Sequence, residues 1–174
     1  MALKVFTYLL IILMTFTSCN LFLDKDDNLS IRREYNNKCT LRLDGYYYDH
    51  IDDKSISIFI LYKNGIIRYM GTFEDYDLKK VDKILLDEEL LKKAENSKFS
   101  WGVYIINKDS IYYEKWNPSE KPYKTVKYYG KIINDTTFII NTIISKDKLL
   151  KFKEIKYHFK KFDPKPDSIT KFIK

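Results

Sequence analysis

From Thr40 onward the chain alternates apolar and polar residues in short runs that are separated by turn-forming residues. Alternation with a period of two is typical of a β-strand that buries one face. The clearest two runs flank Asn64-Gly65, because both residues of an Asn-Gly pair tolerate the positive φ angles of a tight hairpin turn. The pattern predicts eight strands, at about residues 41–48, 56–62, 67–73, 101–105, 111–116, 126–132, 138–144 and 155–159.

Residues 78–96 interrupt the alternation. Apolar residues recur there at intervals of three and four, and the acidic run Asp87-Glu88-Glu89 precedes a second apolar stretch. This spacing predicts one helical segment between the third and fourth strands, kinked or split near Leu86-Asp87.

Eight consecutive strands joined mostly by short turns have few arrangements that protect the edges of the sheet. Closure into an up-and-down barrel removes the edges altogether. The predicted fold is therefore mainly β, an eight-stranded antiparallel up-and-down barrel with one helical segment, and a two-sheet β-sandwich is the alternative. Such a barrel is just wide enough either to be filled by its own side chains or to hold one small ligand.

A ligand inside this barrel would meet large apolar and aromatic side chains, as is usual for small-molecule pockets. On the alternation, the candidate lining residues are Ile60, Tyr69, Trp101, Val103, Tyr128 and Phe138. The same side chains are large enough nearly to close the lumen, so a filled core remains the alternative.

The N-terminus has the pattern of an export signal. Lys4 is followed by a largely apolar run from Val5 to Phe16, which is shorter than the roughly 20 residues that span a bilayer and suits a signal peptide. The run ends in Phe16-Thr17-Ser18-Cys19, and small residues directly before a cysteine resemble the lipobox of bacterial lipoproteins. The resemblance implies cleavage before Cys19 and lipidation of its thiol; an ordinary secretory signal with an incidental cysteine is the alternative.

Composition divides the chain into three parts. We expect a signal peptide over 1–18, a lipidated cysteine with a flexible tether over 19–38, and a single barrel domain over 39–174. The tether is expected to be flexible because residues 24–28 are charged and have no periodicity. Asp24-Lys25-Asp26-Asp27-Asn28 also resembles the acidic export signal of surface lipoproteins of Bacteroidota, with a plain solvated linker as the alternative. The formal charge is +7, and in an exported protein it suits anionic lipid or glycan better than nucleic acid.

Four segments of the barrel region resemble lipocalin-like barrel lipoproteins of Bacteroidota. They are Leu43-Asp44-Gly45-Tyr46-Tyr47, Trp101-Gly102-Val103-Tyr104, the segment Gly130-Lys131-Ile132-Ile133-Asn134-Asp135-Thr136-Thr137-Phe138, and Lys165-Pro166-Asp167-Ser168. The resemblance implies a barrel architecture in the cell envelope. The predicted helix lies between strands three and four, whereas typical lipocalins carry theirs after the eighth strand.

Catalytic chemistry has little support in the sequence. The chain holds only two histidines, His50 and His158, and has no Gly-x-Ser-x-Gly elbow and no Gly-rich phosphate loop. His50 lies among Asp44, Asp49, Asp52 and Asp53, but these residues lack the glycine turn and ligand register of a calcium loop. Cys39 has no second cysteine to pair with if Cys19 is acylated. We therefore expect no catalytic residues, no metal and no cofactor.

These observations predict an exported, membrane-anchored lipoprotein without enzymatic activity. Its expected location is the bacterial cell envelope, at the outer membrane, on a side that the sequence leaves open. Its expected partners are the membrane, through Cys19, and a small amphipathic ligand. The alternative is an envelope protein-interaction module with a filled barrel, and a hydrolase ranks last.

Overall fold

The protein is built mainly from β-strands, as its alternating pattern predicts. The computed structural model describes residues 25–36, 39–74 and 77–174. Strands within these ranges are β1 (Gly45–His50), β2 (Ser55–Leu61), β3 (Ile66–Glu74), β4 (Trp101–Asn107), β5 (Ser110–Trp116), β6 (Thr125–Asn134), β7 (Thr137–Ser145), β8 (Lys148–Leu149) and β9 (Ile155–Lys161). All eight predicted strands are present, and the short β8 is an addition.

The sheet closes on itself. Its strand order is β6-β5-β4-β3-β2-β1-β9-β7-β8, and β6 also pairs with β7. All pairings are antiparallel, and they include Tyr47 with Phe159 between β1 and β9 and Phe138 with Tyr157 between β7 and β9. Strands β1–β7 and β9 thus form a closed eight-stranded antiparallel barrel, with β8 attached to the end of β7. The barrel prediction is confirmed, and the sandwich alternative is wrong.

The helical segment is split in two, as predicted. Helix α1 (Leu78–Ile84) and helix α2 (Glu88–Asn96) are followed by a 3-10 turn over Lys98–Ser100. The side chain of Asp87 accepts a hydrogen bond from the backbone N–H of Leu90 at 2.8 Å and caps α2. Helix α1 ends at Ile84, and because Asp87 is an N-cap in extended conformation, α2 begins as a separate helix.

The barrel wall is apolar on both faces along part of its circumference. One set of buried residues, the interior cluster, draws on all eight barrel strands and fills the lumen. A second set, the outer cluster, comes from β1–β5, both helices and the terminal segments, which cover the outside of that wall. Strand β2 is consequently buried from Ile56 to Leu61 without alternation.

Residues 25–36, which we call the strap, lie against the outside of the barrel. The Trp116 indole donates to the carbonyl of Asp27 at 2.8 Å, and the Asp27 N–H donates to the carbonyl of Tyr123 at 2.8 Å. Both the N–H and the hydroxyl of Ser30 donate to one oxygen of Glu114, at 2.6 and 2.9 Å.

The expectation of a flexible tether over 19–38 is therefore wrong for the strap. Its acidic residues have partners on the barrel, since Asp26 pairs with Lys98 at 2.7 Å and Asp27 with Lys124 at 3.3 Å. Its apolar residues Leu29 and Ile31 pack against the outer cluster. Residues 19–24 and 37–38 lie outside the described residues.

The C-terminal segment binds the end of the barrel that lies opposite the β5–β6 connection. The Lys165 ammonium donates to the carbonyls of Leu43 and Leu61 at 2.5 and 3.0 Å. Ile173 is buried in the outer cluster, whereas Ile169 is 75% exposed. This segment therefore packs through its basic and terminal apolar residues rather than through Ile169.

Candidate functional site

The six residues predicted to line a ligand divide between the two faces of the barrel wall. Tyr69, Tyr128 and Phe138 belong to the interior cluster or pack against it. In contrast, Ile60, Trp101 and Val103 belong to the outer cluster. The prediction that these last three face the lumen is wrong, and the structure brings only the first three together inside the barrel.

The error has a physical cause. A strand buried on both faces reads as a continuous apolar run, so alternation does not say which residues face inward. In β2 the inward residues are Phe59 and Leu61, and in β4 the inward position beside Ile67 is taken by Gly102. A Cβ at Gly102 would lie 2.5 Å from the carbonyl oxygen of Glu114, so a larger residue does not fit there.

Aromatic rings fill the middle of the lumen. The Phe59 ring lies 6.0 Å from that of Tyr113 and 5.7 Å from that of Tyr157, between strands that are not neighbours in the sheet. The hydroxyls of Tyr113 and Tyr157 approach to 3.5 Å. Phe138 stacks on Tyr157 with its centroid at 4.6 Å. These contacts cross the barrel and make a solid layer at its centre.

Lys115 lies above this layer, on the inward-facing side of β5. We call its end of the barrel, where β1, β3, β5 and β7 finish, the upper end. Its ammonium nitrogen lies 5.0 Å from the centroid of the Tyr69 ring and 6.0 Å from that of Phe59. Lys115 is only 9% exposed, and burial lowers its pKa to about 8.

The Lys115 ammonium has no hydrogen-bond or ion-pair partner among the residues that the structure describes. The polar side-chain atoms in these residues that are closed off from solvent and unpaired are Tyr62 Oη, Arg68 Nε and Glu114 Oε1. Lys115 Nζ is not one of them, and the residue keeps 9% of its surface exposed. A buried cation without an anionic partner is costly for the fold and is therefore a candidate for function.

A buried carboxylic acid lies inside the same end of the barrel. Asp49 is 6% exposed and accepts a short hydrogen bond from the hydroxyl of Ser57, its partner across β1 and β2. Burial raises the pKa of Asp49, and the Ser57 hydrogen bond opposes that effect only in part. No ion pair joins Asp49 to Lys115 within the described chain.

Tyrosine hydroxyls complete the polar surface of this end. Burial raises the pKa of Tyr128 to about 12 and holds the pKa values of Tyr113 and Tyr157 well above their ordinary range. The Tyr69 hydroxyl lies 2.8 Å from that of Thr72, because a bulge at Gly71, with φ of 121°, turns both residues inward. The interior of the upper end thus brings together tyrosine hydroxyls, the Lys115 ammonium and the Asp49 carboxyl group, and we call these residues the upper polar site.

Val103 does line a cavity, but one on the outside of the barrel. This cavity of about 590 Å³ lies between the strap and the C-terminal residues, and its other apolar walls include Leu29, Trp116 and Phe172. A groove therefore remains between the strap and the C-terminal residues on the outer face of the barrel wall.

The histidines are not part of a catalytic arrangement with Cys39. His50 ends β1 at the upper end, and burial beside Lys156 and His50 lowers the pKa of His158. Cys39 is half-buried, and burial raises the pKa of its thiol. Asp44 precedes β1 at the end opposite His50 and pairs with Arg42 at 2.5 Å. Among the described residues, no three His, Cys, Asp or Glu side chains form a group able to hold a metal ion.

Comparisons with protein-family models, with curated proteins and with solved structures give no match for this chain. Within the residues described, none of the helices has the length and apolar character needed to cross a bilayer.

Proposed function

We propose that this protein is a non-enzymatic, membrane-anchored lipoprotein whose barrel binds a small amphipathic molecule with an anionic group. The observation that carries the proposal is the Lys115 ammonium, which lies inside a closed barrel and has no hydrogen-bond or ion-pair partner among the described residues, while the residue is still 9% exposed. An anionic group from outside the chain would supply the missing partner.

The surroundings of Lys115 favour an amphipathic ligand over a simple ion. The rings of Phe59 and Tyr69 lie beside the ammonium and offer an apolar surface to the rest of the molecule. The Tyr69 and Tyr128 hydroxyls and the Ser57–Asp49 pair offer hydrogen bonds at the same end of the barrel. The ring layer below limits how deep the ligand reaches.

The anchor is the second part of the proposal. It rests on the Phe16-Thr17-Ser18-Cys19 resemblance, which lies outside the described residues. We expect Cys19→Ala to leave the barrel folded but to abolish cleavage before residue 19 and incorporation of labelled palmitate. Equal palmitate labelling and membrane retention of the Cys19→Ala protein would rule out the anchor.

Ligand binding is tested with two matched fluorescent probes on the full chain in lipid nanodiscs. The probes are 8-anilinonaphthalene-1-sulfonate, which is an anion, and the neutral N-phenyl-1-naphthylamine. A hydrogen bond to a charged group contributes about 1.5–3 kcal/mol, so we expect Lys115→Met to weaken binding of the anion at least ~10-fold. Binding of the neutral probe should stay the same.

The matched control is Lys131→Met, which removes an exposed lysine from β6 at the other end of the barrel. This variant should bind both probes like the wild type. Equal affinity of the wild-type and Lys115→Met proteins for the anion would exclude the ligand site.

The ring layer favours a second candidate function, an envelope protein-interaction module with a filled barrel. Phe59, Tyr113 and Tyr157 occupy the centre of the lumen, as they would in a purely structural core. Mass spectrometry of small molecules that co-purify with the full chain separates the candidates. An anionic ligand that is lost in Lys115→Met supports binding, and its absence from the wild type supports the interaction module.

A further inference from the structure

A rigid hairpin extends from the upper end of the barrel after β7. Residues Lys146 and Asp147 have φ angles of 50° and 57°, as in the two-residue turns that match the twist of a β-hairpin. Ser145 pairs with Lys148 and Ile144 with Leu149 across this turn. We call residues 146–153 the basic hairpin, and its pairing with β7 fixes the direction of its side chains.

The basic hairpin holds two adjacent leucines in solvent. Leu149 is 69% exposed and Leu150 is 43% exposed. The N–H of Leu150 donates to the carbonyl of Ile143 at 2.9 Å, so the backbone at this point is fixed. Phe152, two residues further on, packs against the interior cluster. The leucines are therefore kept outside while the segment is secured on both sides.

Lysines surround these leucines. The basic hairpin contains four lysines and one aspartate, a net charge of +3. Lys146 pairs with Glu120 at 2.6 Å, whereas Lys148, Lys151 and Lys153 are exposed and have no ion pair within the described part of the chain. Apolar side chains ringed by lysines are the combination that binds the headgroup region of an anionic bilayer.

The strap begins beside the basic hairpin. Asp27 lines a small cavity together with Lys146 and Asp147, so the first described residues lie at the upper end of the barrel. The chain between Cys19 and Asp26 can span at most about 25 Å when fully extended. A lipid on Cys19 would therefore lie within reach of the bilayer surface that the hairpin contacts.

We propose that the basic hairpin binds an anionic lipid surface through Leu149, Leu150 and the exposed lysines Lys148, Lys151 and Lys153. The contact turns the upper end of the barrel, with Lys115, toward the membrane. It does not depend on a ligand at Lys115, and the lipid anchor would only raise the local concentration of the membrane.

The test measures amide hydrogen exchange of the full chain reconstituted in two kinds of vesicle, pure phosphatidylcholine and phosphatidylcholine with phosphatidylglycerol. We expect residues 150–153 to exchange at least ~10-fold more slowly in the anionic vesicles, since a lysine near such a surface shifts the equilibrium by about fivefold. The triple variant Lys148→Glu/Lys151→Glu/Lys153→Glu should lose this difference, and so should Leu149→Ser/Leu150→Ser.

The control reverses three exposed lysines at the opposite end of the barrel, Lys108, Lys131 and Lys161. This triple variant should keep the protection, and the melting temperatures of all variants should stay close to that of the wild type because the changed side chains are exposed. Identical exchange in the two kinds of vesicle would overturn the proposal, as would equal loss of protection in the control.

Discussion

Replacing Lys115 with methionine should change how the stability of the barrel depends on pH. Burial of this ammonium in the folded protein lowers its pKa from 10.5 to about 8. Between these two values the unfolded chain binds more protons than the folded chain, so the free energy of unfolding rises with pH. Methionine has a similar length and does not titrate, so Lys115→Met should lack this component.

The size of the effect follows from the pKa. One pKa unit corresponds to about 1.4 kcal/mol, and integration from pH 7 to pH 9.5 gives a gain of about 2 kcal/mol in the wild type. Lys115→Met should be more stable than the wild type at pH 7, because it removes a buried charge that has no partner in the described ranges. The difference between the two proteins should shrink by about 2 kcal/mol at pH 9.5.

Urea unfolding followed by tryptophan fluorescence measures this difference at each pH. Tyrosines and the other lysines titrate equally in both proteins, so their contributions cancel in the comparison. An anion bound at Lys115 should raise the lysine pKa again and flatten the wild-type curve. Parallel stability curves for the two proteins from pH 7 to pH 9.5 would falsify the assignment of a buried, unpaired ammonium.

Three further results are expected. Phe138→Ala should cost about 3–5 kcal/mol in urea unfolding, because the ring is 1% exposed and stacks on Tyr157; a much smaller loss would mean that the lumen there is open. Glu114→Ala should speed amide exchange at Ser30 at least ~10-fold by removing the acceptor of its two hydrogen bonds, while the exposed Glu154→Ala should not. Burial raises the pKa of Asp49 above 3.8, so stability should fall as pH rises from about 4 through the folded pKa, and Asp49→Asn should remove that fall from the urea midpoints.

Local features of the fold were predictable from the sequence. The β2–β3 hairpin turns at Asn64-Gly65 as predicted, although only Gly65 has a positive φ, of 80°, and its N–H donates to the carbonyl of Tyr62 at 3.0 Å. The split of the helical segment follows from Asp87, which prefers a capping position to a helix interior. Both depend on neighbouring residues alone.

The facing of the strands was harder to predict, because it depends on distant parts of the chain. Trp101 faces outward. There the Arg68 guanidinium lies 4.6 Å from the centroid of the Trp101 ring and donates to the carbonyl of Leu91 in α2, which covers the indole. The helical segment just before Trp101 was predictable, but its sequence does not show which face of the barrel wall it covers. The strap was missed for the same reason, since the Glu114 that binds Ser30 lies 84 residues away.

Lys115 was missed although the sequence held a signal for it. Ile111, Tyr113 and Lys115 occupy alternate positions of one strand, so all three share a face. Two of them are apolar or aromatic and mark the buried face. A lysine on such a face is the exception that points to a site.

The strap also imposes an order of events on a chain that is synthesised from its N-terminus. Its partners Glu114, Trp116 and Tyr123 lie between 84 and 97 residues further along, so residues 25–36 emerge long before there is anything for them to bind. The pairing of β1 with β9 forms later still, because Gly45 pairs with Lys161 and the chain must be synthesised that far first. Contacts of this separation slow folding, since a long loop must close before they form. The strap is therefore synthesised early but is among the last segments to dock, and it stays accessible to other proteins for most of the synthesis of the chain.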